Sequence, residues 1–457
     1  MATPLIAGYH TAALKHLSSL ILLLLLPALA AGADRRSVTL ITVGPGSEIY
    51  EKFGHNLIWV HDPDAGTNPC YNWGLFSFDD PNFLLNFVRG RMTYAMGAAP
   101  IIDSVVGYEM EGRLATFQRL PMTSAQIDEL IRRCEANLRP ENSQYRYDYF
   151  TDNCSTRVRD MLDSVTGGQV RAALAAYRPR QPSTYRRNAM RLMQDEFWTT
   201  LGMDFALGPA ADRALSGWEE AFLPMRLAEG LTPVATRTWV PWRVEREPEP
   251  TTTPDYAWLL ALIGFVGAAA IAACGFSGRK DLRGLGHGLA AAWWLVAGLG
   301  GAFLAGLWMW TDHAAAHANQ NLLHFSPLSL ALLLLMLVQR RTAASDVTAP
   351  GTANSEERVF GFRPRRADVV TRIREFATGA VSSAMARAVP GKRVMLLRWG
   401  ATAVLAVSLI GMLAKAFNLL GQENVRMILL ALPLNLAAAW SAWRLTAQRP
   451  ADEVAGV

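Results

Sequence analysis

The apolar residues of this chain are unevenly spread, and that distribution constrains the fold more than any motif does. Between residues 37 and 249 charges are mixed with apolar side chains, and no apolar run is long enough to cross a hydrocarbon core of ~30 Å. Beyond the linker EREPEPTTTPD, whose prolines and threonines build no packed element, the chain turns strongly apolar. Candidate spans run over Tyr256–Phe276, Gly288–Trp310, Leu322–Val338, Val394–Phe417 and Val425–Trp443. Each is near the ~20 residues a helical crossing needs, so the sequence predicts an extramembrane domain followed by five transmembrane helices.

The flanking charges set an orientation. Lys15 and His16 precede the apolar run LSSLILLLLLPALA, which leads into the small-x-small triplets Ala28-Leu29-Ala30 and Ala31-Gly32-Ala33. Residues 1–33 therefore read as a signal peptide, with an uncleaved anchor helix as the alternative. Residues 34–249 then fold outside the cytoplasm, and 250–457 form the membrane domain. Arg279, Lys280 and Arg283, and the basic loop 339–393, belong inside, whereas TDHAAAHANQN and NLLGQE, poor in Lys and Arg, belong outside. The expected arrangement is a multi-pass membrane protein with the N-terminal domain outside the cytoplasm and the C-terminus inside. The net charge of +5 comes from the basic loop, and no nucleic-acid partner is expected.

The four cysteines separate by context. Cys274 ends the first span. Cys70 and Cys134 flank most of the extramembrane domain, and their spacing leaves open whether they pair. Cys154 sits in QYRYDYFTDNCSTRVRDMLDSV, where Tyr145, Tyr147 and Tyr149 alternate and DNCST then opens a run with helical spacing at Val158, Met161, Leu162 and Val165. A thiol at a helix start faces unpaired N–H groups and the positive end of the helix dipole, which predicts a lowered pKa and a cradle for an oxyanion. Asp152, Asn153 and Ser155 are all capping types. Upstream, IYEKFGHNLIWVHDPDAG places His55, Leu57, Trp59 and His61 on one parity of a strand. His55 is a candidate base, or a structural histidine; Asn72, in the strand-like CYNWGLFSFDD, or Asp62 is a candidate to orient it.

A histidine on an early strand followed by a cysteine at the head of a later helix resembles the circularly permuted branch of the NlpC/P60 papain-like superfamily, which includes the lecithin:retinol acyltransferase relatives. More narrowly, FGHNLIWV, YNWGLFSFDDPNFLLNFVRGRMTY and YDYFTDNCSTRVRD resemble the N-terminal domain of the Lnb-type bacterial lipoprotein N-acyltransferases. WMWTDHAAAHANQNLLHFSPL resembles the TDH…NxNLL…P signature of that family's five-helix domain. Trp59 departs from the basic residue expected there.

The resemblance implies an α+β permuted papain-like periplasmic domain before an all-α bundle of five membrane helices. It implies transfer of an acyl chain from a phospholipid to the α-amine of the diacylglyceryl-cysteine of a lipoprotein, through a thioester on Cys154 with His55 as base and Asn72 as orienter. Tyr147 is an oxyanion donor or an aromatic core residue. Asp312, His313, Asn319 and Asn321, at an outer helix boundary, are candidates for gripping the phospholipid headgroup, or helix caps. PNFLLNFVRGRMTYAMG reads as an apolar rim for acyl chains or as an amphipathic core helix, with Arg89 and Arg91 near phosphate. His313 and His317 are four apart, but no further metal ligands are apparent, and neither cofactor nor metal is expected. Two other readings share these residues: a membrane-anchored cysteine peptidase or amidase acting on cell-wall peptides, and a non-catalytic anchored binding module.

Overall fold

The computed structural model describes residues 34–77, 81–178, 183–242, 244, 249–345 and 390–447. The expected signal at 1–33, most of the basic loop 339–393 and the C-terminal end lie outside the described residues. The chain divides into two compact units. The first runs to Phe87 and continues with Arg91–Ser183 and Ala214–Pro250; the second takes Val88–Gly90, Thr184–Arg213 and the chain from Thr251 onward.

The first unit is built on an antiparallel sheet of β1 (Ser37–Val43), β2 (His55–His61), β3 (Pro69–Leu75), β4 (Thr93–Pro100), β5 (Ala115–Leu120), β6 (Gln144–Arg146) and β7 (Arg237–Trp239), in the order β6-β4-β3-β2-β1-β5-β7. Its longer helices are α1 (Phe83–Arg89), whose last two residues fall in the second unit, α2 (Ile101–Met110), α3 (Ser124–Leu138), α4 (Cys154–Val165), α5 (Gln169–Ala176) and α8 (Pro224–Leu231); the intervening α6 (Tyr185–Leu192) and α7 (Phe197–Ala206) belong to the second unit. Strand alternation sends residues to two cores. Val38, Leu40, Ile58, Val60, Tyr71 and Trp73 pack with Leu130, Val158, Leu162 and Leu227 on one face. Ile41, Val43, Leu57, Cys70 and Phe117 pack with Val105 of α2 on the other. β1 is therefore buried on both sides.

The cysteine pairing left open by the sequence is resolved here. Cys70 and Cys134 stay free thiols, because Cys70 belongs to one core and Cys134, on α3, to the core across the sheet. α3 is capped by Thr123, in a reciprocal pair with Gln126.

In the second unit, α9 (Ala257–Phe276), α10 (Lys280–Trp310), α12 (Pro390–Ala416) and α13 (Val425–Ala447) are long and apolar enough to cross a membrane. A fifth crossing exists if the bent pair over residues 314–323 and 328–339 counts as one span, with 41° between its halves. The expected span from Leu322 is broken because Gln320–Leu323 forms a 3-10 turn and regular α11 (Leu328–Ser345) begins only after Pro327. Proline supplies no N–H to a preceding turn. α9 and α13 approach closely at Gly264, where a Cβ would lie 2.5 Å from the Leu429 carbonyl oxygen.

Thr184–Arg213 is held in this unit by buried charge. The Arg186 guanidinium, fully buried, pairs with Asp212 at 2.6 Å and with Asp204 at 3.1 Å. Asp204 also accepts from Arg426 of α13 at 2.8 Å and from the Tyr256 hydroxyl at 2.9 Å. Every charge in this cluster is hydrogen-bonded, the condition under which buried ions are tolerated.

Candidate functional site

Three chain segments meet at Cys154. α4 begins there because Asn153 caps it: its Oδ1 accepts the N–H groups of Ser155 and Thr156, both at 2.9 Å, and its Nδ2 donates to the carbonyls of Tyr149 and Phe222. A buried polar chain fixes this helix head to the sheet. Thr42 donates to Asn56 Oδ1 at 2.8 Å, Asn56 Nδ2 donates to Ser155 Oγ at 2.9 Å, and Ser155 Oγ donates to the Ala221 carbonyl at 2.8 Å. Satisfied at each step, such a network holds one geometry. Asp152 instead pairs with Arg157.

His55 opens β2, and its Nε2 lies 2.7 Å from Asn72 Oδ1 on β3. With Oδ1 accepting, Nε2 carries the ring proton and Nδ1 is the basic nitrogen. Asp62, the other candidate orienter, sits in the turn after β2, where it accepts from the N–H groups of Asp64 and Ala65. Gly74 joins the histidine to the cysteine. It has φ +97 at a bulge in the β3–β4 pairing, and a Cβ there would stand 3.3 Å from Cys154 Cβ and 3.6 Å from His55 Cε1. Glycine alone combines this backbone with an open space between sulfur and imidazole.

The electrostatics differ from the sequence expectation. Burial pushes the Cys154 thiol up to about 11, although N–H groups of Asn56, Ser155 and Cys154 itself oppose the shift. Burial likewise pulls the His55 imidazole down to about 4, against the Asn72 hydrogen bond, with the Arg113 cation adding to the fall. Between these values the resting pair is thiol and neutral imidazole, so a base must take the thiol proton during attack. The rate of Cys154 alkylation by iodoacetamide, followed by peptide mass spectrometry, is expected to rise about tenfold per pH unit between roughly pH 6 and 9.5. A plateau near pH 7 would instead mean a preformed thiolate.

Tyr94, Tyr145 and Tyr147 stand around Cys154, near enough for charge on its sulfur to raise their pKa values further above what burial does. Tyr147 stacks on Tyr94 with ring centroids 4.1 Å apart. Tyr145, on the same strand parity, is the residue the sequence did not single out: its hydroxyl is buried with no hydrogen-bond partner among the described residues. It is also 4.0 Å from the space that Gly74 leaves open. Arg113 was also missed; it is buried, donates to the Gly44 carbonyl and pairs with Glu51 at 3.1 Å. No local pattern marks it, since its burial comes from strand and helix packing.

Asp312, His313, Asn319 and Asn321 lie in the second unit. Asn319 Nδ2 donates to the carbonyls of Phe205, Ala206 and Leu207, and Asn321 Nδ2 to Phe205, which satisfies the C-terminal carbonyls of α7. Both asparagines are buried. The Asp312 N–H donates to the Arg89 carbonyl, and His317 Nε2 lies 3.0 Å from the Thr311 carbonyl. Among the described residues, no group of three or more His, Cys, Asp or Glu is arranged to hold a metal.

An extramembrane sheet domain followed by four or five apolar helices defines a multi-span membrane protein with an exported domain. Residues 28–190 match the family model of the Lnb N-terminal periplasmic domain, and residues 249–347 match that of the Lnb transmembrane domain. With both domains in order over more than half its length, the chain belongs to the Lnb family, as an inner-membrane protein with a periplasmic domain. No curated protein and no solved structure matches the chain.

Proposed function

We propose that the protein is a lipoprotein N-acyltransferase that moves an acyl chain from a phospholipid to the α-amine of a diacylglyceryl-cysteine, on a permuted papain-like domain. The observation that carries this reading is the meeting of the Cys154 thiol, at a capped helix head, with an imidazole whose far nitrogen is held by Asn72. Four or five apolar spans favour a substrate drawn from the bilayer over a cell-wall peptide.

In the first half-reaction the Cys154 sulfur attacks the ester carbonyl while His55 Nδ1 takes the thiol proton. The S–C bond forms, the C–O bond to glycerol breaks, and the imidazolium returns its proton to the departing alkoxide, releasing a lysophospholipid. In the second, the neutral amine attacks the thioester carbonyl. The C–N bond forms and the C–S bond breaks, and His55 carries the amine proton to the leaving sulfur, which restores the thiol. The unsatisfied Tyr145 hydroxyl and the Cys154 N–H donate to the oxyanion in both halves. Tyr147, stacked on Tyr94, shapes the wall beside them. Asp312 and His313 contribute headgroup contacts, whereas Asn319 and Asn321 serve as capping residues.

Tyr145→Phe is expected to lower kcat about 10²-fold with thermal stability unchanged or slightly raised, because the hydroxyl it removes forms no hydrogen bond in the resting site. Equal turnover by the two proteins would remove Tyr145 from the oxyanion site. The reaction itself is tested by expressing the wild type in cells lacking their own lipoprotein N-acyltransferase. The N-terminal cysteine of a reporter lipoprotein should gain an amide-linked acyl chain by mass spectrometry, and an unmodified reporter would overturn the proposal.

A further inference from the structure

His55 is the first residue of β2, so the place of its imidazole depends on the chain that leads into the strand. Val43, at the end of β1, pairs with His55, and residues 44–54 connect the two. Inside that connection the Glu51 carbonyl accepts the N–H groups of Gly46 and Gly54 at 3.0 and 2.9 Å. Gly54, with φ +77, leaves room for the Val43 carbonyl, whose oxygen would lie 2.6 Å from a Cβ there. With Gly44, Gly46 and Gly54 in it, the connection has many conformations to lose, and its own backbone bonds are few.

Arg113 closes it. The residue lies between α2 and β5 and is 3% exposed. Its Nε and Nη2 donate to the Gly44 carbonyl at 3.1 and 3.0 Å, and its Nη1 meets Glu51 Oε1 at 3.1 Å. Glu51 Oε2 accepts the Glu48 N–H at 3.3 Å, so the guanidinium clasps the start of the connection to its 3-10 turn at Ile49–Glu51. Glu111 adds a more exposed carboxylate at 3.4 Å, and the Arg113 carbonyl accepts from Trp242 Nε1 at 2.9 Å. The ring of Tyr108 touches both the clasp and the base: its centroid is 5.0 Å from Arg113 Cζ and 6.4 Å from the centroid of the His55 ring.

We infer that Arg113 is a positioning residue for acyl transfer, which fixes the His55 imidazole against the Cys154 thiol by clasping the turn before β2. This rests on the acyltransfer reading, in that it takes His55 and Cys154 as the reacting pair. Besides burial, which moves both groups away from charge, the Arg113 cation opposes the imidazolium and favours the sulfur anion. These two effects oppose each other while the proton passes from sulfur to ring, so placement of the ring carries most of the effect. A base displaced by about 1 Å loses about 10²-fold in rate.

The test is a double-mutant cycle on Cys154 alkylation by iodoacetamide at neutral pH, with the detergent-solubilised full chain and peptide mass spectrometry as the readout. Arg113→Gln should slow alkylation about tenfold when His55 is present, and no more than about twofold in the His55→Ala background. Arg113→Lys keeps the charge without the fork and should recover only part of the rate. Equal slowing in both backgrounds would mark a general structural loss, and that result or an unchanged rate in Arg113→Gln would overturn the inference. Should Arg113→Gln fail to accumulate, Glu51→Gln releases the same turn while the guanidinium keeps Gly44, and it must divide the two backgrounds in the same way. Alkylation needs no phospholipid, so the cycle reports on Arg113 even if the reporter lipoprotein proves unmodified.

Discussion

Cys154→Ala is expected to abolish the proposed N-acylation of the reporter lipoprotein, with a loss of at least about a thousandfold, while the protein still accumulates in the membrane. The size of the loss follows from the site. On the proposed mechanism no thioester forms without that sulfur; Cys70 and Cys134 are sealed in the two cores of the first unit, and Cys274 lies in the apolar helix α9. Alanine fits the helix head because the Asn153 cap and the Ser155 bonds do not involve the Cys154 side chain. His55→Ala should fall short of that loss, at about 10²- to 10⁴-fold, because the thiol keeps a small spontaneous ionised fraction. Mass spectrometry of the intact enzyme separates the two. The wild type incubated with phospholipid and no acceptor should carry an acyl mass on the peptide with Cys154, His55→Ala should gain it slowly, and Cys154→Ala should never gain it. An acyl mass on another residue would sink the thioester mechanism.

Asp204→Ala should be the most destabilising single change in the second unit, at about 3–5 kcal/mol. It removes the carboxylate shared by Arg186 and Arg426 and the acceptor of the Tyr256 hydroxyl, and leaves the fully buried Arg186 charge with Asp212 as its remaining carboxylate. Glu423→Ala is the matched control. It breaks the Arg187 pair, whose side chains are 49% and 31% exposed, so its cost should stay within about 1 kcal/mol. Thermal unfolding of the detergent-solubilised protein measures both. Similar melting temperatures for the two variants would mean that the Arg186 cluster contributes no more than a surface pair.

Much of the candidate site's geometry was legible in the sequence, for reasons that are local. Capping residues followed by helical periodicity marked Cys154 as a helix start, and strand parity paired His55 with its face of β2. Antiparallel pairing of Leu57 with Asn72 then brings the asparagine within reach of the imidazole. Tyr145 and Tyr147 share parity, so the sequence does not distinguish them; the difference arises from which hydroxyl lies at the gap left by Gly74. The sign of the thiol shift was missed because a helix dipole is a local signal, whereas burial is set by packing distant in sequence. Thr184–Arg213 has the mixed polarity of a soluble segment, and its place with the membrane helices depends on Asp204 meeting Arg426, more than two hundred residues away.

That segment has a bearing on how the protein can be divided. A chain cut at Pro250 to obtain the first unit alone would retain Arg186, Asp204 and Asp212 while losing Arg426, and would bare a charged cluster and the apolar surfaces of α6 and α7. Yet the two ends of the segment are neighbours, since the Leu215 N–H donates to the Ser183 carbonyl at 3.0 Å. Thr184–Arg213 is thus a cassette with adjacent ends, removable by a short glycine bridge. Trimming at that seam, and not only at the proline-rich linker, is what takes this cluster away from the thiol domain.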